Sequence, residues 1–254
     1  MIYENEFPIL EFDDSSDAVI TPERFGQNPL SADRLVITFF REVVDRLFLD
    51  GKLRVERIIP GEVPIALYQF TENPGVLLML GEVGCPACAG DLDLLQGMGV
   101  KKVMFCGGGG VLNPDIAPGQ VMLVDGAIRD EGFSYHYVKP SRVMEADAAL
   151  NDKIASYLEE TGVSYFRGLT WTTDALFRET KAMVERRRNE GASIVEMEQA
   201  GCLAIAKVRG LQYGALIYGG DDVSQEEWSQ REWRSRNGIR YDLVTLCENI
   251  VSRM

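Results

Sequence analysis

A chain of 254 residues with 46% hydrophobic and 9% aromatic residues can bury a sizeable core, and we expect one large α/β domain. A net charge of −13 and a pI near 4.6 argue against a nucleic-acid partner, because contacts with the phosphate backbone need clustered Lys and Arg. No apolar run approaches the ~18 residues that cross a bilayer, and three glutamates precede residue 12, so we expect a cytoplasmic protein without a membrane partner.

The first segment, residues 1–34, is rich in proline and acidic residues and is predicted to be an extended arm that precedes a domain of residues 35–254. Residues 35–40 form a short apolar run that favours a strand. Residues 41–49 have helical spacing and end before Asp50-Gly51, where glycine suits the end of a helix.

Three later runs, residues 76–81, 102–107 and 214–219, are apolar throughout and end in glycine, which is typical of strands buried on both faces. Helical patterns lie between and beside them, so the repeated order is strand, helix, strand. This order predicts a single three-layer α/β domain with a central mixed, largely parallel sheet flanked by helices. Ligands in such folds bind at the carboxyl ends of the strands. Further helices are predicted at residues 91–97, 146–160, 181–189, 199–209 and 241–252.

Four consecutive glycines, residues 107–110, follow the second of these predicted strands. They are either a tight structural turn or a place where the main chain approaches an anion or a sugar oxygen. The flanking residues match neither a P-loop nor a dinucleotide-binding fingerprint.

Carboxylates mark two other predicted strand ends. Glu196 and Glu198 follow an apolar strand, where they are either ordinary helix-start acids or ligands for paired sugar hydroxyls. Asp221 and Asp222 close the last strand, where they are either solvated turn residues or, in a cleft, a general acid.

The spacing of Cys85-Pro-Ala-Cys88 is typical of a thiol-redox centre, but the glycine-rich flanks do not fit a lone thioredoxin fold. A zinc site would need two more ligands, and the remaining cysteines and the single His136 offer no second paired spacing. We therefore predict no metal site, and five cysteines fit a reducing compartment.

Several segments together resemble the nucleoside phosphorylase family, which includes uridine phosphorylases, hexameric purine nucleoside phosphorylases and adenosylhomocysteine nucleosidases. Residues 195–201, Val-Glu-Met-Glu-Gln-Ala-Gly, are similar to the family's Val-Glu-Met-Glu-x-Ala-x segment, and Asp221 lies 23 residues after Glu198, as in the purine phosphorylases. Residues 81–87 resemble the family's Gly-x-Gly-x-Pro-Ser turn. Residues 107–121 resemble its glycine turn and next strand, and residues 172–177 resemble its base-pocket loop.

The resemblance implies roles for individual residues. Glu198 would bind the ribose hydroxyls, with Met197 and Val83 lining the sugar site. Asp221 would protonate or hydrogen-bond the base, which favours a purine because uridine-type members are expected to lack this acid. The base site would contain Leu176, Phe177 and Glu196.

The phosphate-binding side chains of the phosphorylases are replaced in this sequence. Phe105 and Gly108 stand where the family has an Arg and a Ser or Thr, and residues 38–41 replace its Gly-Asp-Pro-x-x-Arg motif. The remaining candidates for phosphate or nucleophile binding are Gly108, Gly109, Arg41 and Arg178.

The resemblance implies phosphorolysis of a nucleoside to free base and ribose 1-phosphate. Alternatives are hydrolysis, with Glu82 as the base for water, and nucleoside binding without catalysis. No cofactor is implied apart from phosphate as a co-substrate, and by analogy with the family the chain is expected to form a dimer-based homo-oligomer, up to a hexamer.

Overall fold

The computed structural model of the protein describes residues 1–15, 17–24, 28–232 and 237–254. The N-terminal arm contains a small antiparallel hairpin of β1 (Ile2–Tyr3) and β2 (Phe12–Asp13), with single 3-10 turns at Pro8–Leu10 and Pro22–Arg24. The strands of the main sheet are β3 (Arg34–Thr38), β4 (Leu53–Ile59), β5 (Ile65–Phe70), β6 (Val76–Leu80), β7 (Lys102–Val111), β8 (Val121–Asp130), β9 (Val143–Glu145), β10 (Tyr165–Thr173), β11 (Ala192–Glu196) and β12 (Gln212–Asp222). The helices are α1 (Arg41–Leu49), α2 (Cys85–Gly97), α3 (Ala148–Glu160), α4 (Lys181–Asn189), α5 (Gln199–Arg209) and α6 (Asn237–Arg253).

The main sheet has the order β11-β10-β8-β12-β7-β3-β6-β5-β4, with β9 added beside β8. Parallel pairs join β6, β3, β7 and β12, and also β8, β10 and β11. Antiparallel pairs join β12 to β8 and bring β5 and β4 onto the other edge. A second antiparallel contact joins β11 to β7, so β7, β12, β8, β10 and β11 close into a ring. The predicted mixed sheet is confirmed.

The helices cover the sheet on both faces. Helices α2 and α5 pack on one face with side chains such as Leu92 and Ile205, and α1, α3 and α6 pack on the other with Val44, Ile154 and Val244. Strand β3 is buried on both faces, which explains its continuous apolar sequence. The predicted three-layer α/β class is therefore confirmed.

The predicted helices at residues 41–49, 181–189 and 199–209 have the observed bounds. Helix α5 ends at Gly210, whose φ of 67° is the left-handed conformation that glycine adopts without strain. Local spacing and end signals were sufficient for these elements.

The glycine run, residues 107–110, lies inside β7 and not in a turn after it. The strand continues because β12 pairs with it through Gly109 and again at Val111, and β11 pairs with it at Gly110. Glycine is needed because a Cβ on Gly109 would lie 2.5 Å from Ile194 Cγ2 and 2.5 Å from the Val195 carbonyl oxygen. The close approach of β11 therefore explains part of the run.

Described parts of the arm contact the body of the molecule. The Lys139 ammonium group lies 4.3 Å from the centre of the Tyr3 ring, and the Pro22–Arg24 turn packs on α2. The boundary of the arm stays a prediction. Within the described ranges, none of the helices combines the length and the apolar character that a membrane span needs.

Candidate functional site

The side chains singled out in the sequence gather where β6, β10, β11 and β12 end. The loop after β6 meets the start of α5, because the Gly84 N–H donates to Glu198 Oε1 at 2.8 Å. Gly84 and Glu198 are also the residues that precede α2 and α5, so this bond joins two helix starts. Gly84 has a φ of 99°, which favours glycine at this point.

Glu198 is a buried carboxyl group with its second oxygen, Oε2, 3.3 Å from the Met197 N–H. Burial raises the pKa of Glu198 to about 8, and the charge of Glu196 contributes, while the N–H groups of Gly84 and Met197 oppose the shift. A carboxyl group in this setting can take hydrogen bonds from a ligand's hydroxyl groups.

Glu196 holds the chain at Glu198 in place through hydrogen bonds. Its Oε1 accepts from the Thr172 hydroxyl at 2.5 Å, and its Oε2 accepts from the N–H groups of Glu198 at 2.6 Å and Gln199 at 2.7 Å. Thr172 in turn accepts from the Ala200 N–H at 3.0 Å. Burial raises the pKa of Glu196. One carboxylate oxygen of Glu196 is therefore bonded to the start of α5 and the other to Thr172 of β10, which makes Glu196 a support for Glu198. Contact of Glu196 with a base stays a prediction.

Met197 directly precedes Glu198, and Val83 directly precedes Gly84, whose N–H bonds the Glu198 carboxyl group. Met197 is half-buried, and the Val83 side chain is 67% exposed. The structure thus brings both predicted sugar-site residues beside Glu198, and their contact with ribose stays a prediction.

Asp221 lies at the end of β12, half-buried, and its Oδ2 accepts from the Trp228 Nε1–H at 2.7 Å. The adjacent Asp222 is held inside its own loop, where Oδ1 accepts from the N–H and the hydroxyl of Ser224 at 2.8 Å and 2.6 Å. The geometry therefore favours Asp221 over Asp222 as the acid of the site. Trp228 could not be recognised from the sequence, because no spacing rule marks it.

Glu179 is a second site residue that the sequence analysis passed over. Burial raises its pKa to about 7, and the charge of Asp221 adds to the effect. An ion pair between Lys181 and Glu226 links the loop of Glu179 to the loop that follows Asp221. In the sequence, the only signal for Glu179 was its position just after residues 172–177, which resemble the base-pocket loop of the family.

The loop after β10 carries Leu176, Phe177 and Arg178 in a 3-10 turn. Leu176 is 52% exposed and Phe177 is 95% exposed, so both apolar side chains are available to a ligand. Arg178 is exposed, as is Arg41 at the start of α1.

Gly108 has an exposed main chain, and Gly109 is half-buried. A Cβ on Gly108 would lie 2.8 Å from Cζ of Tyr218, whose ring covers this position. Phe105, which stands in place of a phosphate-binding Arg, is buried against Phe39 with ring centres 5.2 Å apart.

Cys85 borders this arrangement, because its thiol donates to the main-chain carbonyl oxygen of Glu198 at 3.5 Å. All five cysteines are free and buried, and burial raises the pKa of the Cys85 thiol well above its ordinary value, which disfavours the reactive thiolate. In the parts of the chain that the structure describes, His, Cys, Asp and Glu side chains form no group of three that could hold a metal ion.

Glu82 lines a cavity of about 180 Å³ together with Asp91, whose pKa rises to about 6 through burial and the charge of Glu82.

Comparison with known proteins gives consistent matches. The sequence model of the phosphorylase superfamily matches residues 40–240. The chain is 27% identical over 134 residues to the guanosine phosphorylase of Halorubrum lacusprofundi, covering 53% of this chain and 56% of that protein. It is 25% identical over 147 residues to the uridine phosphorylase of Thermococcus kodakarensis, covering 53% of each chain. The chain therefore spans about half the length of the curated relatives it matches.

Solved structures share the fold over nearly the whole chain. The AMP nucleosidase from Bacteroides thetaiotaomicron has a TM-score of 0.70 and 22% identity, covering 91% of this chain and 92% of that one. The uridine phosphorylase from Vibrio fischeri has a TM-score of 0.72 and 17% identity, covering 91% of this chain and 94% of that one. At these identities the likeness shows the fold alone.

Proposed function

Because the chain belongs to the phosphorylase superfamily, we propose that it is an enzyme that cleaves the N-glycosidic bond of a nucleoside. The observation that carries the proposal is the buried Glu198 carboxyl group, fixed by the Gly84 N–H at the same edge of the sheet as Asp221. The names of the guanosine and uridine phosphorylases among its relatives support a nucleoside substrate.

Glu198 is the proposed ligand of the ribose. Two adjacent hydroxyl groups can donate to the two oxygens of one carboxylate, and burial makes such bonds stronger than in water. The apolar side chains of Met197 and Val83 would pack on the sugar ring beside them.

Asp221 is the proposed acid for the departing base. As the bond between C1′ and the base nitrogen breaks, positive charge develops on the sugar, and a base that gains a proton leaves more easily. Leu176 and Phe177 would pack on the base, and the presence of the acid supports a purine.

The resemblance to phosphorylases implies phosphate as the acceptor of the ribosyl group, with Gly108, Gly109, Arg41 and Arg178 as its proposed contacts. The reaction would use no metal or organic cofactor. The geometry at Glu198 and Asp221 supports cleavage of the glycosidic bond. The group that accepts the ribosyl unit would bind elsewhere in the cleft. We further propose a cytoplasmic homo-oligomer.

The proposal is tested by incubating the protein with purine and pyrimidine nucleosides, with and without inorganic phosphate, and measuring released base. Release of base from at least one nucleoside is expected. Saturable nucleoside binding without any release would instead indicate a binding protein that lost catalysis.

The Asp221→Asn variant tests the acid. Turnover is expected to fall by roughly a hundredfold to ten-thousandfold, as for loss of a general acid, while nucleoside affinity changes little. Full activity of this variant on every purine would reject the assignment. Replacing Cys85 and Cys88 together by serine is the comparison for a thiol mechanism, because a glycosidic cleavage does not need either thiol.

A further inference from the structure

The loop after β12, residues 223–232, folds back on the end of that strand. Asp222 and Ser229 form an antiparallel bridge, in which the Asp222 N–H donates to the Ser229 carbonyl oxygen at 2.8 Å and the reverse bond measures 3.1 Å. The residues next to this bridge are Asp221 and Trp228, and the Trp228 Nε1–H donates to Asp221 Oδ2 at 2.7 Å. The fold of the loop therefore brings the indole to the carboxyl group.

Trp228 contributes little to the core, because it is 59% exposed. In the described part of the chain, its Nε1–H makes a single hydrogen bond, which is the bond to Asp221. An indole combines a large apolar ring with one polar atom, and that atom decides which group the ring is held against. Dense packing therefore does not account for the position of the ring, whereas the bridge at Ser229 and the bond to Asp221 do.

The two oxygens of the Asp221 carboxyl group have different surroundings. Oδ2 accepts from Trp228, whereas Oδ1 has no hydrogen-bond partner within the described ranges. The terminal torsion of an aspartate has a broad profile, so a carboxyl group without a fixed partner exchanges its two oxygens readily. The bond to Trp228 removes this freedom and leaves Oδ1 for a ligand.

The indole also fixes the oxygen on which Asp221 carries a proton. An indole N–H only donates a hydrogen bond, and the carbonyl oxygen of a protonated carboxyl group accepts better than its hydroxyl oxygen. Oδ2 is therefore the carbonyl oxygen whenever Asp221 is protonated, and the proton is on Oδ1. A general acid must hold its proton within hydrogen-bond reach of the atom that receives it, so the choice of oxygen matters to the reaction.

We infer that Trp228 is a positioning residue, whose indole N–H fixes the Asp221 carboxyl group so that Oδ1 holds the proton that passes to the departing base. This inference rests on the proposed function, because it takes Asp221 as the acid. Trp228 exchanges no proton itself, since its nitrogen only donates a hydrogen bond. Its loss leaves the acid present but free to rotate.

Steady-state kinetics of Trp228→Phe tests the inference, because phenylalanine keeps an aromatic ring and lacks the N–H. We expect kcat to fall about tenfold to a hundredfold, as for a misplaced catalytic group, while KM changes by less than about twofold. Gln230→Ala, at an exposed position of the same loop, is the matched control and should keep the wild-type kcat. Unchanged kinetics of Trp228→Phe would overturn the inference, as would a raised KM at unchanged kcat, which would indicate a binding residue.

The double variant shows whether Trp228 acts through Asp221. Because Asp221→Asn removes the proton, adding Trp228→Phe should slow that enzyme no further. Two effects that multiply would overturn the inference. Full activity of Asp221→Asn, or no base release by wild type, would instead count against the proposed function, and the contact between the two side chains is then decided by spectroscopy.

The indole N–H resonance of Trp228 tests this contact independently of activity. The chain has three tryptophans, so the resonance is identified in the NMR spectrum as the one that Trp228→Phe removes. A hydrogen bond to a carboxyl oxygen shifts such a resonance downfield, and we expect Asp221→Ala to move it upfield. A resonance that stays in place in Asp221→Ala would overturn the inference, even if the wild-type protein releases base.

Discussion

At the scale of single residues, Glu198 is under two opposing demands. Burial and the neighbouring Glu196 raise its pKa to about 8 and so favour the protonated form, whereas hydrogen bonds from the hydroxyl groups of the proposed ribose ligand would favour the ionised form. A carboxyl group buried in this way lowers the stability of the fold, a cost that is common for residues kept for function.

The stability cost of Glu198 has a defined dependence on pH. A carboxyl group whose pKa is raised on folding binds its proton more tightly in the folded state, so its contribution is fully present below its unfolded pKa of about 4.5 and is lost as pH rises towards about 8. We expect Glu198→Gln to become more stable relative to wild type across this interval. Its nucleoside affinity should fall about tenfold to a hundredfold, because a charge-assisted hydrogen bond is lost.

Chemical denaturation at several pH values and nucleoside titration measure these effects. Glu160→Gln, on an exposed part of α3, is the matched control and should show neither effect. A stability difference between Glu198→Gln and wild type that does not change with pH would contradict the assigned environment.

The raised pKa of Glu179 should be visible in the pH–rate profile. Its pKa of about 7, raised by burial and by Asp221, means that a negative charge appears beside Asp221 near neutral pH. We expect the wild-type profile to change slope at about pH 7 and Glu179→Gln to lose this change. The measurement is kcat/KM against pH, and an unchanged profile would mean that Glu179 does not act on the reaction.

At the scale of elements, the site depends on how closely α2 and α5 pack. A Cβ on Gly201 would lie 2.8 Å from Cys85 Sγ and 3.1 Å from Ala89 Cβ, so glycine permits this approach. The same two helices begin beside Gly84 and Glu198, whose hydrogen bond fixes the carboxyl group that we propose binds the sugar. The distance between α2 and α5 therefore affects the position of the Glu198 carboxyl group.

Gly201→Ala should push the two helix starts apart. We expect a loss of about 1–3 kcal/mol of stability, as for other overpacked cores, and a raised KM for the nucleoside. Gly90→Ala in α2 is the matched control, since its Cβ meets no atom within 4 Å and should stabilise the helix by about 0.5–1 kcal/mol. Denaturation and steady-state kinetics are the measurements, and equal KM values for both variants would contradict the coupling.

At the scale of the whole molecule, the β4 edge of the sheet exposes several apolar side chains. Val55, Ile58 and Val63 are 48%, 61% and 58% exposed at an edge strand and its hairpin turn. Exposed apolar edges mark surfaces that pair with another chain, and a second copy of this chain is the partner we propose.

Sedimentation velocity should therefore show an assembly of at least two copies for wild type. Ile58→Lys places a charge in the patch and should shift the protein to the monomer, whereas Val19→Lys, at an exposed position of the arm, should not. A monomeric wild type, or an Ile58→Lys variant with unchanged assembly, would reject this surface as the interface.

The amino-acid sequence by itself determined the α/β class, the bounds of α1, α4 and α5, the buried strands β3 and β6, and membership of the superfamily. These follow from local signals, namely apolar periodicity, helix-end glycines and a short acidic motif. It also marked Glu198 and Asp221, whose functional roles stay predictions.

Only the tertiary structure decided how these parts meet. Gly84 bonds Glu198 across 114 residues, and Arg240 bonds Glu42 across 198, and no local pattern encodes such distances. The glycine run became part of β7 because β11 and β12 approach it, and Glu196 turned to the main chain of α5 because that helix starts beside it. Packing between elements distant in sequence, which periodicity does not register, therefore set the surroundings of Glu198.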